Sequence, residues 1–209
     1  MTKISTIITS GGSSTRFGSN KLLEKIDGLS VIETTISKFI DMVDEIIIPT
    51  KDDIKEFLLK SKLFCNKIKF APAGKTRQQS VYNGILSCNN PDIVLIHDGA
   101  RPFIDKTTIQ KAIELTFDKK AVCTGAMAVD TIKVIKNGKI VKTLDRNNIF
   151  LAQTPQAFEY NLIKNLHEKY KDNLNFTDDS SLAEFDGIEV YCLITTCMNK
   201  KITTKNDLV

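Results

Sequence analysis

The sequence predicts an α/β fold: a three-layer, mostly parallel sheet flanked by helices, with a β-hairpin arm protruding from it. Two observations lead there. Short apolar runs alternate with longer segments of helical spacing, the rhythm of strand-helix-strand crossover units. After Val129 that rhythm breaks into two Lys-alternating, β-branched runs around Asn137-Gly138, a pair suited to the positive φ angles of a tight hairpin turn. The elements follow in order. "STIIT" opens as a strand, since β-branched residues fit a pleated surface better than a helix. "VIETTISKFIDMV" spaces its apolar residues for one helical face. Strand and helix then alternate through "DEIIIPT", "DDIKEFLLKS", "KIKFAPA", "RQQSVYNGILSC", "DIVLIHD", "DKTTIQKAIELTF" and "AVCTGAMAV". The hairpin is "TIKVIKNGKIVKTL"; a helix in "NLIKNLHEKY" and a strand in "IEVYCLI" complete the chain. An isolated hairpin is marginal in water, so its own domain or a partner subunit is expected to cover it.

At 209 residues, 42% of them hydrophobic, one sizeable core is expected, hence a single domain over 1–209 with the arm at about 131–150. The balance of 29 Lys and Arg against 25 Asp and Glu is too even for a nucleic-acid surface and suits a small anion better. Five cysteines without a C-x-x-C pair favour neither a disulfide framework nor a zinc site. With no secretory, transit or membrane-spanning pattern, the expected setting is the cytoplasm.

In a parallel sheet, ligands gather beyond the carboxyl ends of the strands, which singles out three loops. The first is "TSGGSSTRFGSNKL". It matches neither the Walker pattern nor G-x-G-x-x-G, yet the small residues Gly11, Gly12, Ser13 and Ser14, with Ser10 counted beside them as a nucleotide contact, let backbone N–H groups approach an anion. Arg16 and Lys21 follow as cations; a plain Gly/Ser turn with solvated charges is the alternative. The second is "VLIHDGARPF", where Asp98 ends an apolar strand, the place for a Mg²⁺ carboxylate or for a turn cap. His97 reads as a hydrogen-bonded core histidine without a catalytic role. The third is "APAGKTRQQSVYNG", a strand, a turn and a polar helix start that could offer Ser80 and backbone groups to a flat heterocycle, with Arg77 near phosphate.

Together with "DTIK", "LDRNNIFLAQTPQAF", "FTDDSSLAE" and "NKKITTKNDL", these loops in collinear order resemble the Rossmann-like cytidylyltransferases that act on 2-C-methyl-D-erythritol 4-phosphate in the non-mevalonate isoprenoid pathway. The resemblance implies that the first loop wraps a nucleotide triphosphate and that Arg16 and Lys21 stabilise the reacting phosphate. It places Gly74 and Ser80 around cytosine, Asp98 on Mg²⁺, and Arg101 where the sugar phosphate approaches. Thr131, Arg146, Thr154, Thr177 and Lys201 match positions holding the methylerythritol phosphate, Lys201 being counted with the nucleotide contacts as well. Some of these would reach across a homodimer by way of the arm, giving composite active sites. Departures from the family pattern fall at Ser14, Lys75 and Lys200.

The implied reaction joins CTP to a sugar-alcohol phosphate with loss of pyrophosphate. A phosphate monoester has its second pKa near about 6, so it attacks already deprotonated, consistent with loops rich in cations and lacking a poised base. Ribitol 5-phosphate is the alternative acceptor, and a non-catalytic nucleotide or sugar-phosphate sensor the alternative class. No nucleic-acid or membrane partner is expected.

Overall fold

The computed structural model describes residues 2–10, 20–173, 176–195 and 199–208. In chain order the elements are β1 (Ile4–Thr9), β2 (Lys25–Ile26), β3 (Leu29–Ser30), α1 (Val31–Phe39), β4 (Glu45–Thr50), α2 (Asp52–Leu59), β5 (Ile68–Pro72), α3 (Arg77–Ser87), β6 (Ile93–Asp98), α4 (Lys106–Lys119), β7 (Ala121–Met127), β8 (Lys133–Lys136), β9 (Lys139–Thr143), β10 (Phe150–Glu159), α5 (Tyr160–Lys169), α6 (Asp179–Phe185) and β11 (Tyr191–Ile194). Seven strands form the central sheet in the order β11-β7-β10-β6-β1-β4-β5. All run parallel except β10, which is antiparallel to both β6 and β7.

Alternation along the buried strands sorts the core onto two faces. Ile8, Ile46, Ile48 and Leu95 point toward α1, α2 and α4, where Ile32, Ile36, Phe39, Ile54, Leu58 and Ile109 meet them. Ile7, Ile47, Val94 and Ile96 point the other way, against Val81 and Ile85 of α3, Ile163 of α5 and Leu182 of α6. Side chains such as Ile7, Ile36 and Phe39 are 0% exposed, and each contributes roughly 1.5–3 kcal/mol by leaving water. The three layers expected from the sequence are present.

Helix starts follow local chemistry. Ser30 and Glu33 form a capping box on α1; Thr76 caps α3 and Asp105 caps α4 through side-chain oxygens that accept from N3. Helix α4 ends where Lys120 takes the left-handed conformation, φ 64°.

At the opposite end of the sheet from the strand carboxyl termini, Glu45 is buried and accepts from Ser5 Oγ (2.6 Å), Lys69 Nζ (2.7 Å) and the Asn89 N–H (2.8 Å). Burial alone would raise its pKa, but the bond from Lys69, then those from Ser5 and Asn89, hold it below the ordinary 4.5. A depressed folded-state pKa gives stability that is complete above the unfolded value and lost as pH falls through the folded one. Glu45→Gln is therefore expected to flatten the decline in Tm between about pH 5 and pH 3. An acid limb identical to wild type would assign that loss to other carboxylates.

The hairpin of β8 and β9 turns at Asn137 (φ 52°) and Gly138 (φ 75°), both left-handed as a type I′ turn requires. Among the described residues it pairs only with itself, leaving Ile135 68%, Ile140 65% and Val141 57% exposed. One sheet strand, β10, had no counterpart in the periodicity. Pro155 sits inside it, and its register shifts between Ala152 and Gln156, so a proline that would interrupt a regular central ladder is accommodated at an irregularity.

Candidate active site

Strand β1 has β4 on one side and β6 on the other, so the sheet reverses its order there. A crevice must open at such a point, beyond the carboxyl ends of the strands. A cleft of about 690 Å³ occupies it, reached by Thr9 and Ser10 at the end of β1, Lys51 after β4, the 73–77 turn after β5, and Asp98 closing β6. Among its described lining residues, Lys21, Lys51, Lys75, Arg77 and Lys201 supply five cations against the single carboxylate of Asp98. That imbalance is suited to a multiply charged anion.

Asp98 stands opposite Thr9 in the sheet register, and its own N–H donates to Thr154 Oγ1 (3.0 Å). Three cations converge on its carboxylate: Arg77 Nε at 3.3 Å, Lys201 Nζ at 2.7 Å and Arg101 Nε at 3.6 Å. Burial would push this carboxyl up, but Arg77, then Lys201 and its hydrogen bond, outweigh burial and hold it below the usual carboxylate range. It stays ionised at any physiological pH. Among the described lining residues Asp98 is the one carboxylate, and no group of three or more His, Cys, Asp or Glu suited to a metal comes together among the described residues.

Behind it, His97 is fully buried. Thr154 Oγ1, which accepts from the Asp98 N–H, donates to His97 Nδ1 (3.1 Å), and His97 Nε2 donates to the Arg101 carbonyl (3.0 Å). Burial drives the His97 pKa down to about 4, so the ring is neutral and this donor order self-consistent. The histidine is a brace beneath the Asp98 to Arg101 turn.

The 73–77 turn is tied to α3. Gly74 N–H donates to Ser80 Oγ (2.9 Å), Ser80 Oγ donates to the Thr76 carbonyl (3.0 Å), and Lys75 N–H donates to Gln79 Oε1 (3.0 Å). A Cβ on residue 74 would lie 2.4 Å from Gln79 Cβ and 2.6 Å from Ser80 N, so only glycine permits the approach. Gly74→Ala is expected to cost about 1–3 kcal/mol of stability and to displace the turn that lines the cleft. Thermal melts check this, and a wild-type Tm would mean that the turn has other room.

The remaining predicted residues divide. Ser10 Oγ donates to the Pro49 carbonyl (2.9 Å), and Lys21 Nζ to the Ile202 carbonyl (3.0 Å), both at the cleft. Arg101 Nη1 donates to the Asn199 carbonyl (2.8 Å), just behind the lining, where the buried Thr154 carbonyl accepts from Asn199 Nδ2 (2.6 Å). Thr131 and Arg146 are not brought to the cleft. Both are exposed at the arm, and Arg146 Nη1 donates to the Val129 carbonyl (2.6 Å). Thr177 is exposed ahead of α6, also outside the lining. Gly11, Gly12, Ser13 and Arg16 lie outside the described residues.

The model of the 2-C-methyl-D-erythritol 4-phosphate cytidylyltransferase family matches residues 4–209. The chain belongs to this family. It is 41% identical to the 2-C-methyl-D-erythritol 4-phosphate cytidylyltransferase of Clostridioides difficile, with 98% of this chain and 90% of that one covered. It is 39% identical to the one from Dictyoglomus thermophilum, with 100% and 95% covered. Among solved structures, the 4-diphosphocytidyl-2C-methyl-D-erythritol synthase of Anaerococcus prevotii superposes with a TM-score of 0.85 at 32% identity, covering 99% of this chain and 93% of that one. The 2-C-methyl-D-erythritol 4-phosphate cytidylyltransferase of Francisella tularensis gives 0.84 at 31%, covering 99% and 97%.

Seen as a cytidylyltransferase, the chain holds site groups that the sequence reading passed over. Lys51 was accessible to the same rule that found Asp98, being a charged residue directly after an apolar parallel strand. Asp179, His167 and Gln156 lie behind the cleft, outside its lining, and although Asp179 and Gln156 fall within quoted motifs, nothing in their spacing singles the three out as partners. They join Arg77 only in the folded molecule, through Arg77 Nη1 to Asp179 Oδ2 (2.8 Å), His167 Nε2 to Asp179 Oδ1 (3.1 Å) and the Asp179 N–H to Gln156 Oε1 (3.0 Å).

Proposed function

We propose that the protein transfers CMP from CTP to 2-C-methyl-D-erythritol 4-phosphate, giving 4-diphosphocytidyl-2-C-methyl-D-erythritol and pyrophosphate. The observation that carries this reading is the cleft at the β1 switch point, with five lining cations around one ionised carboxylate, in a chain of this family. A phosphate oxygen of the acceptor attacks the α-phosphorus of CTP as the bond from that phosphorus to the β-phosphate bridging oxygen breaks. The acceptor arrives deprotonated, so the protein's task is to position two anions and to neutralise charge gathering at the α-phosphate and on departing pyrophosphate. In this reading Lys21 and Arg16 do so at the reacting phosphate, Ser10 and the Gly11, Gly12 and Ser13 backbone cradle the triphosphate, and the Gly74 to Ser80 turn receives cytosine.

Asp98 fits Mg²⁺, which accepts one or two carboxylates and completes its shell with water and phosphate oxygens. Its ionised oxygens at the cleft floor would hold the ion. When bound, Mg²⁺ supplies charge neutralisation on the triphosphate. Arg101 and Lys201 serve the acceptor side, while Thr154 holds the Asp98 N–H and the His97 ring beneath them and Thr177 stands outside the cleft of its own chain. Thr131 and Arg146 serve the acceptor from the arm of a second copy, whose presence would cover Ile135, Ile140 and Val141. In this reading the protein works as a cytoplasmic homodimer; no helix among the described residues is long and apolar enough to cross a membrane.

The deciding experiment is an acceptor screen that measures pyrophosphate release from CTP with Mg²⁺. Release is expected only with acceptor and divalent ion together, and with methylerythritol phosphate preferred over ribitol 5-phosphate. Preference for ribitol 5-phosphate would reassign the acceptor, and CTP binding without turnover would favour a sensor.

A further inference from the structure

We infer that Asp179, backed by His167, holds Arg77 to a single long contact on Asp98, so that a divalent ion arriving with the nucleotide meets a weaker competitor for that carboxylate; the inference rests on the reading just proposed. Arg77 is the first residue of α3, and its guanidinium is divided between two carboxylates on opposite sides. It makes one long contact toward the cleft, Nε to Asp98 Oδ1 at 3.3 Å, and one short contact away from it, Nη1 to Asp179 Oδ2 at 2.8 Å. An arginine facing one carboxylate tends to form two parallel hydrogen bonds with it. Here the second carboxylate takes the shorter bond, and Nη2 has no acceptor among the described residues.

Asp179 is itself immobilised. It is 2% exposed, lies outside the cleft lining, accepts from His167 Nε2 at 3.1 Å, and donates its N–H to Gln156 Oε1 at 3.0 Å. His167, 1% exposed on α5, lies parallel to the Tyr82 ring at 6.2 Å. The series from α5 through α6 and α3 to β6 thus ends on the carboxylate at the floor of the cleft. Neutralising Asp98 needs no Asp179, since Lys201 and Arg101 already stand against it at 2.7 Å and 3.6 Å. The effect of Asp179 is to draw Arg77 back. Without its charge, the guanidinium would settle fully on Asp98 and compete there with a metal ion, while its uncompensated charge would repel that ion. Asp179 and His167 touch no ligand and are positioning residues.

The test is Asp179→Asn, which keeps the backbone bond to Gln156 and removes the charge. Mn²⁺ binding in the presence of a non-hydrolysable CTP analogue, followed by electron paramagnetic resonance, is expected to weaken about tenfold, the scale of one charge-assisted hydrogen bond. The Mg²⁺ concentration for half-maximal pyrophosphate release should rise in parallel, with metal-free CTP binding no weaker than in wild type. Adding Arg77→Gln should return Mn²⁺ affinity toward wild type, a rescue that a structural role does not produce. His167→Gln, which keeps a donor toward Asp179, should hold Mn²⁺ affinity within about twofold, and His167→Ala should weaken it, so the pair carries the test if Asp179→Asn does not fold. Wild-type Mn²⁺ affinity in folded Asp179→Asn, or no rescue in the double variant, overturns the inference. Because metal binding is read without acceptor, absence of turnover in the wild type would instead overturn the proposed reaction.

Discussion

Lys21→Ala is expected to lower kcat by about 10²- to 10³-fold while KM for CTP changes little, the signature of losing one preorganised contact made in the transition state. Lys21 is well placed for such a role. The next residue, Leu22, is 4% exposed and anchored in the core beside Val31 and Ile32, and Asn20 Oδ1 accepts from the Leu22 N–H at 3.3 Å. The backbone at Lys21 is thus held at the cleft, and only the side chain must adjust. Steady-state kinetics with varied CTP decide the matter. A raised KM with kcat intact would make Lys21 a uniform binder of nucleotide and remove it from the chemical step.

Mixing Lys21→Ala and Arg146→Ala proteins, each nearly inactive, is expected to restore about a quarter of the wild-type activity. Random reassociation after joint unfolding makes about half the dimers mixed, and each mixed dimer with shared sites carries one intact and one doubly altered site. The structure motivates the experiment from one side of the pair. Arg146 is tied to Val129 at the base of an arm that, among the described residues, pairs only with itself, and it is not among the described residues lining the cleft that Lys21 lines in the same chain. No recovery in verified heterodimers would mean that both residues serve one chain's site, and the arm would then require another explanation.

The parts of this protein legible in its sequence are those set by short-range physics. Strands β1, β4 and β6 announce themselves by apolar, β-branched runs, because each is buried on both faces. The hairpin is legible because Asn137 and Gly138 tolerate positive φ, and Asp98 because a carboxylate at the end of a buried parallel strand faces the ligand side of the sheet. Strand β10 and helix α6 are harder to read. The first contains Pro155 and polar Gln153, Thr154 and Gln156; the second spans only seven residues, too few for a helical period to stand out.

The α/β class, the arm, the three loops whose ends line the cleft and, through seven collinear motifs, the family can all be read from the order of residues alone. How the charges pair became visible only in the folded molecule. Arg77 lies 21 positions from Asp98 and 102 from Asp179, and Lys201 lies 103 from Asp98, so no local pattern records that one guanidinium is divided between two carboxylates. Likewise Thr154, which the motifs assign to the acceptor, turns out to carry the Asp98 N–H and the neutral His97 ring on one hydroxyl. The physical reason is common to both cases. Sequence spacing specifies backbone conformation over a few residues, whereas the partner of a buried polar atom is settled by whichever donor or acceptor the packed sheet and helices bring within about 3 Å.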